Sequence, residues 1–361
     1  MESEDTINSV SDALELLFGK PIEDCTQTDR KCDDQEDCTG SLKKIICNGI
    51  DNYGESVGAK YRFPMGIWFR GQACFDWDLE PSVFRKFKPA DSSGECYDEA
   101  SITYQFMLSN PECEQGRSTT FDWLCHMQHY RYPTRLLDWT ESLLVALLHA
   151  VTEPLLENPD KNKGKDGALF VLNARRLNSH TRLSSNRNDI AVPDSADVMI
   201  RSEMALSRNI RDLYFNLRKR SNFEVLMETL GRRYGLGVDD KIFKKIMDRF
   251  KKKLQLPIAV FPRRLGQRMR LQQSVFAVWG GCNEADISDD WPSWGNMEKL
   301  NKECTDHKQS FLLKYKIPSG KKAKIRIDLE RLGIHAAAIF PEIESHAPFM
   351  SGRWRRKINA K

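Results

Sequence analysis

No apolar run in the chain approaches the roughly 20 residues needed to cross a bilayer. The chain opens on the acidic stretch Met1-Glu2-Ser3-Glu4-Asp5, the opposite of a secretory leader. A cytoplasmic protein with no membrane contact is therefore expected. The sequence also lacks a G-x-x-x-x-G-K-[ST] loop, a G-x-G-x-x-G after a strand, an H-E-x-x-H pair and a G-x-S-x-G elbow. Walker-type phosphotransfer, Rossmann redox chemistry, zinc proteolysis and serine hydrolysis each depend on one of these spacings, so all four lose their main support. Ten cysteines are present, but none forms a C-x-x-C pair. Cys25, Cys32, Cys38 and Cys47 fall at irregular intervals in an acidic segment, so reduced thiols and no metal site are expected.

What is present is an uneven distribution of charge. The net charge is only +4, yet residues 1–40 hold 3 Lys/Arg against 12 Asp/Glu, and residues 175–255 hold 19 against 10. The first is an acidic leader, expected to be separable and partly disordered because residues 20–40 have almost no apolar group to bury. Within it, Ile7 to Phe18 reads as a helix with Val10, Leu14 and Leu17 on one face. The second region carries three amphipathic stripes, around Leu206 to Leu217, Phe223 to Leu230 and Ile242 to Phe250, and reads as a basic helical insertion. Strand patterns flank it: Ile67 to Arg70, Thr134 to Trp139, Gly167 to Asn173, Ile258 to Phe261, Val275 to Trp279, Phe311 to Ile317 and Lys324 to Ile327. The fold class expected is α+β, a central mixed sheet of short strands with flanking helices and an inserted helical subdomain. Its boundaries are a leader at 1–40, a first half at 41–174, the insertion at 175–255, a second half at 256–350 and a basic tail at 351–361.

The densest polar chemistry lies between Phe121 and Val151. Phe121, Leu124, Cys125 and Gln128 form a helical stripe, His129 and Tyr130 stand at its end, and Pro133 forces an extended break. Thr134, Leu136 and Asp138 then share one strand face, and Arg135, Leu137 and Trp139 share the other. Thr140 is suited to cap the apolar helix Leu143 to Val151. Upstream, Arg70 closes a strand beside Gly71, where a guanidinium can fork onto a phosphate or carboxylate. Gly71 would let a ligand approach the backbone closely. Each residue also has a structural explanation: Arg70 could pair with Asp76 or Asp78, Asp138 could brace Arg135, and His129 could meet the last carbonyls of its helix. Gln273 could satisfy a buried backbone group, and Trp139 could be core.

These residues carry a family resemblance. His129-Tyr130, Pro133-Thr134-Arg135-Leu136-Leu137-Asp138-Trp139-Thr140 and the helix behind them are similar to the long signature of the FRG domain. Trp68-Phe69-Arg70-Gly71-Gln72 resembles its short signature, and Arg270 to Phe276 its later strands. The likeness runs from about residue 60 to about residue 350, interrupted by the insertion. The family usually has glycine after the His-Tyr pair, where this chain has Arg131.

The order of parts also resembles, more loosely, the ADP-ribosyltransferase plan: an early Arg gripping NAD, a Ser/Thr strand supporting it, and a late Glu acting on the ribose or acceptor. Gln272 and Gln273 cannot supply that carboxylate, and Glu342 and Glu344 are the nearest that can. The polar ends of the motif strands are expected to converge on one cleft, with Arg70, His129, Asp138 and Gln273 as the catalytic candidates. Trp68, Gln72, Tyr130, Thr134, Arg135, Thr140 and Arg270 are the ligand-binding ones. Three functions follow as alternatives. One is an NAD- or nucleotide-using transferase with Arg70 as anion clamp. Another is a protein acting on nucleic acid through the basic insertion, with His129 and Asp138 as an acid/base pair. The third is a non-catalytic sensor of a small phosphorylated ligand. A role in defence against phage is compatible with all three.

Overall fold

The computed structural model describes residues 6–18, 66–85, 97, 99–114, 119–152, 164–181, 190–191, 193, 256–279, 296–303 and 310–342. Their centre is a six-stranded sheet built from β1 (Ile67–Gln72), β2 (Leu136–Thr140), β3 (Gly167–Asn173), β4 (Pro257–Val260), β5 (Ser274–Trp279) and β6 (Leu312–Ile317). The spatial order is β4-β5-β2-β1-β3-β6. All its strand pairs are antiparallel, so the sheet is not mixed. Among the described residues, parallel pairing occurs only at two isolated bridges, Thr6 with Lys316 and Ala191 with Val260. With its helices the architecture is α+β.

Strand alternation sorts the sheet's side chains into two faces. On one face Ile67, Phe69, Leu169, Val171, Tyr315 and Ile317 pack beneath α4 (Leu143–Val151), joined by α1 (Val10–Phe18) and α8 (Ser319–Arg331). Phe69 registers with Thr140, which puts Thr140, Asp138 and Leu136 on that same face. There Leu136, Phe276 and Val278 are covered instead by α2 (Glu99–Ser109) and α3 (Thr120–His129). The opposite face carries Trp68, Phe170, Leu137, Trp139, Val275 and Trp279, closed by α5 (Ala174–Thr181) and α7 (Met297–Glu303). Each large apolar side chain buried in this way contributes about 1.5–3 kcal/mol.

Local sequence explains where the helices begin. Thr119 accepts from the Asp122 amide at 3.1 Å while the Asp122 carboxylate accepts from the Thr119 amide at 3.2 Å, a reciprocal capping box that starts α3. The cap of α4 is Ser142, not Thr140. Ser142 Oγ accepts from the Val145 amide, whereas Thr140 Oγ1 accepts from the Ser142 amide at 2.9 Å and donates to the Gln272 carbonyl at 2.7 Å. Thr140 lies within β2, so its hydroxyl fastens the turn between strand and helix instead of opening the helix.

Three further expectations are corrected. Residues 6–18 do not stand apart from the core: Ile7, Val10, Ala13 and Leu17 are buried in it, and the Ile7 amide donates to the Lys316 carbonyl at 2.8 Å. The buried stripe of α1 runs through Ala13, and Leu14 is exposed. The beginning of the insertion likewise belongs to the core. Asn178 on α5 both donates to the Ala259 carbonyl (3.0 Å) and accepts from its amide (2.6 Å). Lys324 to Ile327 is helical, inside α8, because Ile325 and Leu329, one turn apart, are its buried pair. The rest of the leader, the helical stripes between Leu206 and Phe250, and the tail lie outside the described residues. No helix among the described residues is long and apolar enough to cross a membrane.

Candidate functional site

Asp138 points from β2 into the space between two helical covers, with α3 on one side and α4 on the other. This is why a charged residue is tolerated on an otherwise apolar face: its side chain is 52% exposed. The end of α3 supplies Gln128, whose Nε2 donates to Asp138 Oδ2 at 2.7 Å and whose Oε1 accepts from Thr134 Oγ1. Thr134 itself is buried and also orders its own turn, accepting from the Leu136 amide at 3.3 Å.

Arg70 starts on the other face, beside Trp68, yet meets Asp138. Strands β1 and β2 register only at Phe69 and Thr140, and beyond that pair the Arg70 side chain spans between them. Its NH1 donates to the Asp138 carbonyl at 2.6 Å and stands 3.9 Å from Oδ2. The pairing partner is thus Asp138, while Asp78 accepts from Asn296 at 2.8 Å. Burial pulls the Arg70 guanidinium down to about 10; Asp138 opposes the shift and Arg85 adds to it. The Arg70 Nε is buried with no hydrogen-bond partner among the described residues.

The neighbouring Gly71 has a structural cause. A Cβ there would lie 1.9 Å from the Ala146 carbonyl oxygen and 2.5 Å from the Ala150 amide. The backbone that approaches Gly71 is therefore helix α4, and no room is left for a ligand at that point.

Helix α4 brings in His149, a residue the sequence reading passed over. Burial pulls its imidazole down to about 4, with Arg70 repelling its charged form, Asp138 favouring it and Arg268 repelling it. Its ring meets Phe340 edge-on at 5.8 Å. Phe340 in turn lies beneath the guanidinium of Arg268, 4.6 Å from ring centroid to Cζ. Arg268 stands on the short helix α6 (Gln267–Leu271), and its NH1 is 3.8 Å from Glu342 Oε1. His129 Nε2 lies 3.0 Å from that same oxygen. Burial and then Arg268 hold the His129 imidazole below its ordinary value against the pull of Glu342. Both Glu342 oxygens are buried without a well-formed hydrogen bond among the described residues.

The structure thus brings Arg70, Asp138 and His129 into one cluster with His149, Arg268, Phe340 and Glu342. Others among the sequence candidates lie elsewhere or serve other partners. Gln273 is exposed, in a left-handed backbone with φ 48°, and its carbonyl accepts from the Glu141 amide at 3.2 Å. Arg270 is exposed as well; two residues along a helix from Arg268, it points away by about 200°. Arg135 is buried against Glu99, whose carboxylate takes both its amide (2.7 Å) and its Nε. Trp68 is wholly buried on the opposite face, edge-on to Phe261 at 5.7 Å, so it is core and no wall of this cluster. Gln72 is buried at the end of β1. Tyr130 is 56% exposed and caps the rim, its ring 5.1 Å from that of His129.

His149 had a signal in the sequence: it is the single polar residue in LLVALLHAV. Arg268 had none that separated it from Arg270, since only the phase of a five-residue helix decides between them.

Residues 65–159 match the FRG domain family model. That span includes β1, α2, α3, β2 and α4, and with them Arg70, His129, Asp138 and His149; Arg268 and Glu342 lie beyond it. No curated protein and no solved structure matches the chain.

Proposed function

We propose that this cluster is the reacting centre of a transferase that uses an NAD-type dinucleotide, with Arg70 gripping a phosphate and Glu342 as the carboxylate beside the reacting ribose. The observation that carries the reading is Arg70. A guanidinium has five N–H donors, and burying it without partners costs several kcal/mol. Here one donor meets the Asp138 carbonyl and Nε meets nothing among the described residues. A phosphate would take the remaining donors as a bidentate pair, which is the geometry arginine matches best.

Glu342 adds the second half. It stands against His129 and Arg268 in the same cluster, which supports reading it as the late carboxylate of the ADP-ribosyltransferase plan. In the reaction proposed, the bond between ribose C1′ and the nicotinamide nitrogen breaks, and its electron pair neutralises the pyridinium. A lone pair of the acceptor nucleophile forms the new bond to C1′, and the nucleophile's proton passes to Glu342. A negative charge held beside the electron-deficient C1′ favours the transition state. Burial shifts both His129 and His149 towards the neutral imidazole, which supports leaving the cationic character of the site to the two arginines.

The test is incubation of the full chain with NAD, following nicotinamide release and ADP-ribose binding. Release that disappears in Arg70→Lys and Glu342→Gln supports the reading. Tight ADP-ribose retention with no release favours the non-catalytic sensor, which uses the same anion clamp. Neither binding nor release overturns both. The nucleic-acid reading draws on Lys251, Lys252 and Lys253, which lie outside the described residues.

A further inference from the structure

The rim of the cluster carries a feature that anion binding alone does not require. Tyr130, Arg131 and Tyr132 are three consecutive exposed residues at the end of α3, the tyrosines 56% and 40% exposed. Their turn is fixed by main-chain hydrogen bonds from Arg131 to the Gln128 carbonyl (3.0 Å) and from Tyr132 to the Met127 carbonyl (3.1 Å). The rings are fixed as well. Phe106, itself buried, lies 4.9 Å from Tyr132 and 6.3 Å from Tyr130, and His126 and His129 each lie 5.1 Å from Tyr130. Two aromatic rings are thus presented to solvent in set orientations, one of them touching the histidine that meets Glu342.

Arg131 between them holds φ at 65°. For a residue with a Cβ this left-handed conformation costs about 1–2 kcal/mol, which glycine would avoid. The left-handed turn closes α3, and its two main-chain hydrogen bonds satisfy the last carbonyls of that helix and offset the cost. The side chain itself makes no hydrogen bond or ion pair among the described residues. Its charge bears instead on Arg268, whose guanidinium it helps to hold down after burial, while Glu342 and Asp138 oppose both. An exposed guanidinium with no ion pair among the described residues, whose charge is felt at Arg268, is suited to an anion that lies between the two.

We propose that the Tyr130-Arg131-Tyr132 turn is the nucleobase edge of the site: the base of a diphosphate-bearing nucleotide stacks on the tyrosines, and Arg131 with Arg268 takes its phosphates. The inference rests on the anion-clamp reading of Arg70 and adds to it the part of the ligand that is not phosphate. Stacking suits this surface because base and tyrosine both offer flat apolar faces, and the rigid rings lose little freedom on binding. Arg131 suits the phosphates because it is exposed at the rim between the two tyrosines and adds a second positive charge to that of Arg268.

The test is calorimetric titration of the full chain with ADP-ribose and, separately, with inorganic pyrophosphate, with melting temperatures recorded for every variant. The Tyr130→Ala/Tyr132→Ala double variant should bind ADP-ribose at least about tenfold more weakly, about 1.4 kcal/mol, and pyrophosphate as well as the wild type does. Arg131→Gly should weaken both ligands while its melting temperature rises. An aromatic variant with wild-type affinity for ADP-ribose overturns the stacking edge, and so does one that loses both ligands equally. If Arg70→Lys has lost ADP-ribose in the same experiment, the clamp reading stands without the edge. An Arg131→Gly variant that binds both ligands normally removes the phosphate contact. Wild-type protein that binds neither ligand overturns the clamp and the edge together.

Discussion

The Arg70 guanidinium donates to the main-chain carbonyl of Asp138 at 2.6 Å, although the two residues leave their strands on opposite faces of the sheet. The contact forms where β1 and β2 stop registering, so the arginine stands in for a strand pair, and its Nε is left buried without a partner among the described residues. A lysine there would keep the charge and lose the fork. Arg70→Lys should therefore lower affinity for ADP-ribose by about tenfold or more, since hydrogen bonds to charged groups contribute about 1.5–3 kcal/mol. Its circular dichroism should match that of the wild type. A variant with unchanged affinity would show that Arg70 only closes the sheet.

His149 makes stability depend on pH in a defined direction. Its folded-state value of about 4 lies below its ordinary 6.5, so the unfolded chain binds the proton more readily. Stability from this group is fully present above 6.5 and is lost as pH falls towards 4. The ceiling is about 3 kcal/mol at 1.36 kcal/mol per unit. His129 is shifted in the same direction and adds to the slope. Urea unfolding between pH 4 and 7 should show stability rising with pH, and His149→Gln should flatten that rise. An equal slope in the variant would assign the effect elsewhere.

Gly71→Ala should be severe for a reason unrelated to ligand. The added methyl would meet the Ala146 carbonyl oxygen at 1.9 Å, main chain that cannot turn aside, so α4 must shift or β1 must move. We expect a loss of at least about 2 kcal/mol by thermal or urea unfolding. Because α4 carries His149, ligand binding should fall as well. A stable Gly71→Ala protein would mean that α4 sits further from β1 than this.

The leader gives a complementary expectation. Leu17 is 1% exposed in the core beneath α1, so Leu17→Ala should cost about 2–5 kcal/mol, and deleting residues 1–18 should cost more. Unchanged unfolding midpoints would restore the view of this segment as separable.

The sequence was most legible where one local rule decides. The strand over Gly167–Asn173 holds the apolar run Ala168 to Leu172 with every residue buried, and α3 carries its own capping box. It was least legible where a long-range partner decides. Arg135 precedes the strand that carries Asp138 and looked as though that residue could brace it, yet its carboxylate is Glu99, 36 residues away. Lys324 to Ile327 alternates well enough for a strand, but the core beneath it selects Ile325 and Leu329 at helical spacing. In the cluster, Arg70, His129 and Asp138 stood in conspicuous motifs. His149 was marked only as the one polar residue of an apolar helix, and Arg268 was not separable from Arg270; both owe their place to how α4 and α6 pack. Arg131 was conspicuous only against the resemblance, and its φ of 65° gives the physical sense of a position where glycine is usual.

Asp138 separates two roles for its carboxylate. Oδ2 accepts from Gln128 at 2.7 Å and stands 3.9 Å from Arg70, but the closer hold on the guanidinium is the main-chain carbonyl, which Asp138→Asn leaves in place. The side chain is half exposed, so stability should change by less than about 1 kcal/mol. The effect on ligands should depend on their charge. Removing a carboxylate beside the clamp lowers repulsion, so pyrophosphate and ADP-ribose should bind more tightly at low salt, with the difference shrinking as salt rises. NAD differs from ADP-ribose in carrying a positive pyridinium, which a nearby carboxylate attracts. If Asp138 faces that ring, Asp138→Asn should gain less affinity for NAD than for ADP-ribose, and nicotinamide release should slow. Titration of both ligands at two salt concentrations measures the difference. Equal gains for the two would place the pyridinium away from Asp138, and a loss for both would mean that the carboxylate holds Arg70 in position after all.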